Sequence, residues 1–225
     1  MKLAITIIAL LAAICILPAL GEYTAEYWSS QANQYFLNGS FEEAAASYDK
    51  ALELDPINIA LLDNKGRALA NLGRFDDAIA CFDKALDINS TNLEALNLKG
   101  LALSQGLRRY DEAITCFDQA LKMNPLYFDA WTGKGMALAN SGDISGSLAC
   151  FETATQINPL DSSGWNNKGV VLRSMGRYQD ALTSFNKAIE LDPSYSVAKQ
   201  NKELVLQDMD QNSQADPDFP AEIVL

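Results

Sequence analysis

Between Ser162 and Tyr195 the apolar positions fall into two helical runs separated by a glycine. Trp165, Gly169 and Leu172 recur at steps of four and three residues, which places them on one face of a helix. Gly176 breaks that helix, and Tyr178 opens a second whose apolar stripe is Ala181, Leu182, Phe185, Ala188 and Ile189. Pro193 closes it, because proline cannot continue a helix. The hairpin is about 34 residues long, and neither helix can bury its stripe alone, so the unit requires neighbours of its own kind.

The same spacing recurs over 25–58, 59–92, 93–127, 128–161 and 162–195. The leading place holds Trp28, Leu62, Leu96, Trp131 and Trp165, and a small residue follows four places on at Ala32, Gly66, Gly100, Gly135 and Gly169. A close approach of two helices demands such a small residue. In the second helix the aromatic place holds Tyr48, Phe82, Phe117, Phe151 and Phe185, with alanine three places later at Ala51, Ala85, Ala120, Ala154 and Ala188. The stop is Pro56, Pro125, Pro159 and Pro193, with Ser90 standing in once.

This pattern, W-x2-L-G-x2-Y…A-x3-F…P, resembles the tetratricopeptide repeat (TPR) place by place over residues 25–195, in the form met in exported prokaryotic proteins. The resemblance implies an all-α, right-handed superhelical solenoid of five tandem helix-turn-helix repeats, with the first helices lining a concave face. It also implies a protein–protein interaction or scaffold module that takes a partner peptide or protein segment in that groove. The chain departs from the family at Lys65, Lys99, Lys134 and Lys168, where leucine is usual.

The third unit is one residue longer, and the expected place for the extra residue is the loop Gly106–Tyr110, which carries Arg108 and Arg109. Residues 22–24 form a short lead-in. Residues 196–210 keep helical periodicity but are more polar, as a C-terminal capping helix should be. Residues 211–225, acidic and without helical pattern, are expected to be a disordered tail.

Residues 1–21 read as a signal peptide: Lys2, an apolar run from Leu3 to Leu17, then Ala19-Leu20-Gly21 as a small-residue cleavage site. An uncleaved N-terminal anchor is the other reading, since the run approaches the length that spans a bilayer. The expected localisation is therefore exported, extracellular or in the cell envelope, with membrane contact only through residues 1–21 if they are retained.

Charge and composition narrow the chemistry. A net charge of −12 argues against nucleic acid as a partner, because phosphate recognition needs clustered lysine and arginine. Histidine is absent, which removes the commonest general base and metal ligand. No phosphate-binding loop, Cys-x-x-Cys pair or isolated carboxylate pair occurs, so the chain is not expected to be an enzyme and no cofactor or metal is implied. Cys81, Cys116 and Cys150 occupy one place in three successive units. Packed helices set such places on the order of 10 Å apart, too far for a disulfide or a shared metal. They are expected as small buried apolar residues.

Two sets of polar residues carry the expectations about sites. The residue after the aromatic is Asp49, Asp83, Asp118 or Glu152, and stacking offers these to Lys65, Lys99, Lys134 and Lys168 of the next unit. This would be a charge ladder fixing the register of stacking, with each lysine stem covering apolar surface; the alternative is four solvated lysines worth little. On the first helices Asn33, Asn64, Asn97, Asn166 and Asn167 offer donor and acceptor to a peptide backbone, with Leu101, Met136 and Val170 as apolar contacts. Plain surface polarity is the competing reading for Asn64, Asn97 and Asn166. Two other functional classes stay open: an adaptor tethered by its N-terminal helix, and a binder of a small ligand or envelope polymer.

Overall fold

The computed structural model describes residues 23–215, so residues 1–22, with the expected signal or anchor, and residues 216–225 of the tail lie outside the described residues. Eleven helices follow one another: α1 Ala25–Leu37, α2 Phe41–Leu54, α3 Ile59–Asn71, α4 Phe75–Ile88, α5 Leu93–Leu101, α6 Tyr110–Met123, α7 Phe128–Ser141, α8 Ile144–Ile157, α9 Ser162–Ser174, α10 Tyr178–Leu191 and α11 Ser196–Ala215. No strand occurs among the described residues. Each helix packs on the one before it and the one after it. The first helices α3, α5 and α7 also touch along one side, as α9 and α11 do.

The ends of the helices follow from local chemistry. Thr24, Asn58, Asn92, Asp143 and Asp161 cap helix N-termini, each side chain accepting a backbone N–H that the helix leaves unpaired. The hairpin turns of units one, two, four and five place Gly39, Gly73, Gly142 and Gly176 at φ of 77°, 75°, 97° and 71°, which glycine adopts without steric cost.

The third unit departs from expectation here. Its extra residue is not spent on a longer loop: the chain after α5 widens into a π-helical turn over Ala102–Gly106. The closing bond then runs from Arg109 N–H to the Leu103 carbonyl, one residue longer than the Arg74-to-Leu69 and Arg177-to-Leu172 bonds of its neighbours. Arg108 takes the left-handed place, at φ 56°. Gly106, shifted away from the turn, instead lies against the Phe75 ring, where a Cβ would come within 2.2 Å. The insertion is absorbed in the helix because that keeps Leu103 and Ser104 buried while Gly106 closes on Phe75.

The core is a line of aromatics threaded between small residues. Tyr48, Phe82, Phe117, Phe151 and Phe185 are each 2% exposed or less. A Cβ on Gly66, Gly100 or Gly169 would meet the Phe82, Phe117 or Phe185 ring at 2.4, 2.7 and 2.6 Å, so hydrogen is the only side chain these sites admit unmoved. The last helix runs to Ala215, five residues past the expected end of the capping helix.

Candidate functional site

The lysines at the family's leucine place turn away from the side where first helices meet. Lys99 Nζ lies 2.6 Å from Asp83 Oδ1, Lys134 Nζ lies 2.6 Å from Asp118 Oδ1, and Lys168 Nζ lies 3.8 Å from Glu152 Oε1. Lys65 pairs with Asp49 in the same way. Each pair joins the second helix of one unit to the first helix of the next. The lysines are 21–26% exposed and the acids about half exposed, so the stems are covered while the charges meet near water. Lys134 and Lys168 also lie near the faces of Trp131 and Trp165, at 5.8 and 5.5 Å.

Beside this row sit Cys81, Cys116 and Cys150, all buried and free. Burial pushes each thiol up from its ordinary value, Cys150 to about 11, against a smaller opposing pull from the ladder lysine of the same interface.

The opposite side is built from the first helices, and three places of each unit open on it. Two places after the leading residue stand Ser30, Asn64, Leu98, Gly133 and Asn167; five places after stand Asn33, Arg67, Leu101, Met136 and Val170. Nine places after stand Leu37, Asn71, Gln105, Asn140 and Ser174. A hollow of about 430 Å³ opens between α1, α3 and α5, lined among others by Phe36, Arg67, Asn71, Phe75, Leu98 and Leu101.

The asparagines divide between this groove and the unit interfaces. Asn64 and Asn167 are half-buried, Asn33 is exposed, and Asn33 Oδ1 accepts the Tyr48 hydroxyl at 2.6 Å. Asn97 and Asn166 stand one place earlier than the groove row and are only 7% and 4% exposed. Asn166 accepts from Asn201 Nδ2 at 2.9 Å, joining the last unit to α11, so it serves the end of the solenoid and is not open to a partner. Leu101 and Met136 are half-buried and Val170 is 44% exposed.

That earlier place holds a polar row of which the sequence singled out only Asn97 and Asn166, and those as groove residues. Asp63, Asn97, Thr132 and Asn166 repeat there, and Asp63 Oδ1, Asn97 Oδ1 and Thr132 Oγ1 lack a hydrogen-bond partner. Asp63 Oδ2 accepts from Asn92 Nδ2 at 2.9 Å. Burial raises the Asp63 carboxyl above its ordinary value, a rise lowered in part by that bond and by the Arg67 charge. The signal was in the sequence, as a polar residue directly after each leading apolar one.

Groups of three or more cysteine, aspartate or glutamate side chains able to hold a metal ion do not occur among the described residues. No described helix is long and apolar enough to cross a membrane.

Family models described as tetratricopeptide repeat match residues 25–58 and 162–195, 57–125, and 105–159. No curated protein matches the chain. Among solved structures, YrrB, described as a TPR protein with an unusual peptide-binding site, is 26% identical, with 85% of this chain and 98% of that chain covered at a TM-score of 0.59. MamA 41-end from Desulfovibrio magneticus RS-1 is 22% identical over 78% and 98% of the two chains, at 0.66. A thermophilic TPR protein from Thermus thermophilus, TTC0263, is 18% identical over 81% and 99%, at 0.69. The repeat, its five-fold recurrence and the all-helical stack agree, and this chain belongs to the tetratricopeptide-repeat family.

Proposed function

We propose that the protein is a protein–protein interaction scaffold that binds an extended segment of a partner in the groove of its first helices, outside the cytoplasmic membrane. The family supports the scaffold role, and the likeness to YrrB, described as having a peptide-binding site, supports a peptide or protein partner. The observation that carries the groove reading is the opening between α1, α3 and α5, where apolar Leu98 and Leu101 alternate with amides at Asn71 and Gln105. Apolar side chains give a peptide contact area, and amides can pair with its backbone in both directions. Export rests on residues 1–21 alone: a short basic start, an apolar run and a small-residue end.

Affinity capture from the native cell envelope tests the reading. The chain from Glu22 onward serves as bait, and a Leu101→Asp, Val170→Asp double variant serves as control. A partner held by the native chain and lost from the control supports groove binding. A partner held equally by both removes it.

A further inference from the structure

We propose that the open face of α1 is a self-association surface, on which a second copy of this chain packs its own α1, antiparallel, about a two-fold axis at Gln31. The proposal stands apart from the groove reading. The groove places Ser30, Asn33 and Leu37 lie about a third of a turn away around α1 and stay uncovered.

Among the described residues α1 is the one first helix with no second helix before it, so the places that later units bury in that contact are open. Tyr27, directly before the leading residue, is 41% exposed, while its counterparts Leu61, Ala95 and Ala130 are 4% exposed or less. Tyr35, seven places after the leading residue, is 38% exposed, against 3% or less for Leu69, Leu103 and Leu172. Gln34 is exposed where Ala68, Ala102, Ala137 and Val171 are buried. Gln31 takes the place of the ladder lysines, with no acid of a preceding unit to meet it among the described residues.

The make-up of this face selects the occupant. A net charge of −12 drives copies apart, yet Tyr27, Gln31, Gln34, Tyr35 and Asn38 form a stripe along α1 without a charge on it. Tyrosine-rich, charge-poor surface is the composition of an interface core. Tyr27 already stacks on Tyr23, ring centroids 4.3 Å apart, so it loses little freedom on binding. The stripe also complements itself: Tyr27 and Tyr35 stand at equal steps on either side of Gln31. An antiparallel copy sets Tyr27 of each chain against Tyr35 of the other, and lets the two Gln31 amides, each donor and acceptor, pair across the axis.

Charges border the face: Glu26 toward the groove, and Glu43, Lys50 and Glu53 on α2, all exposed. Lys50 lies over the Trp28 ring at the start of α1, and Glu43 stands in the first turn of α2, beside the end of α1. The two-fold therefore brings Lys50 of each copy toward Glu43 of the other. The far end of the stack offers no such match, since α11 covers α10 there and exposes Lys199 and Glu203. Removal of residues 1–21 as a signal would leave only 22–24 ahead of α1, too short a piece to cover a helix of 13 residues.

The face is about 20 Å long, small for a stable dimer, so a Kd on the order of 10 µM is expected. Sedimentation equilibrium of the chain from Glu22 onward, from about 1 to 100 µM, is the test. The mass should rise from one chain to two and stop there. Tyr27→Lys and Tyr35→Glu, both exposed and outside the core, should each keep the native melting curve and weaken the dimer by about tenfold or more. The double variant should regain most of that loss, because each lysine then meets a glutamate of the other copy. If either single variant melts early, Gln31→Glu, which sets two like charges across the axis, replaces it as the disrupting change. A chain that stays monomeric throughout, a dimer indifferent to the disrupting changes, or a double variant no better than either single would overturn the proposal. Mass growing past two copies would mean a head-to-tail contact and overturn the two-fold as well.

Discussion

Lys99 of α5 and Asp83 of α4 sit 2.6 Å apart across the boundary between the second and third units, and the same contact recurs at every later boundary up to the fifth unit. Repeat stacks are held by nearest-neighbour interfaces, and this contact is present at all four boundaries between the five units. The apolar residue expected at this place would bury surface without fixing a direction. Lysine covers that surface with its stem and adds a directional end.

The ladder should therefore show coupling. Lys99→Glu and Asp83→Lys are each expected to cost about 1 kcal/mol, limited by the half-exposed acid, and the double variant should recover about 0.5 kcal/mol of the sum. Chemical denaturation of the four proteins measures it. Strictly additive losses would show that the charges do not act on each other.

The close approach of helices within a unit is predicted to be the least forgiving contact. Gly100→Ala sets a methyl about where the Phe117 ring already lies, at 2.7 Å, and should cost about 1–3 kcal/mol by overpacking. Gly73→Ala, at φ 75° with nothing within 4 Å, should act only through backbone strain of about 1 kcal/mol. Urea melts of the two variants distinguish crowding from strain.

Asp63 predicts a pH effect. Its carboxyl is raised in the folded chain, so between the unfolded value and the folded one the native state holds more proton than the unfolded state. Stability from this group is then lost as pH rises through that window and stays lost at neutral pH. Asp63→Asn removes the buried charge and keeps an acceptor for Asn92. It should raise Tm at pH 7 by roughly 2–4 °C, for about 1 kcal/mol, and the gain should shrink toward pH 3. A gain that is equal at both values would contradict this.

The three cysteines should be silent in the native state. Buried and with thiols raised by that burial, Cys81, Cys116 and Cys150 should label with a thiol reagent at pH 8 only as fast as the stack opens, and at once in denaturant. Fast labelling of any one in the native protein would show that its interface is open.

The repeat was legible because each unit solves the same burial problem with the same residues at the same spacing. The ladder pairs could be foreseen because a fixed spacing of 16 residues crosses each unit boundary. What escaped is set at finer grain. Asn166 and Asn167 are neighbours in sequence, but a helix turns about 100° per residue, so Asn166 is buried in the joint with Asn201 while Asn167 stays half-buried, its Oδ1 accepting from Asn166 Nδ2. Which of them turns inward depends on the angle between units, and periodicity within a unit does not encode it. A single inserted residue can likewise widen a helix or lengthen a loop. Packing of Gly106 on Phe75, a contact between units, decided for the helix. α11 continues past Asp210 through 211–215, residues without an apolar stripe.

Which side of the stack meets the partner decides the groove reading. A photo-crosslinking residue placed at Leu101, on the first-helix side, and another at Ala80, exposed among the second helices, would read this in living cells. Crosslinks to a protein partner from position 101 and none from position 80 are the predicted result. Crosslinks from position 80 alone would place the partner on the outer face and contradict the account.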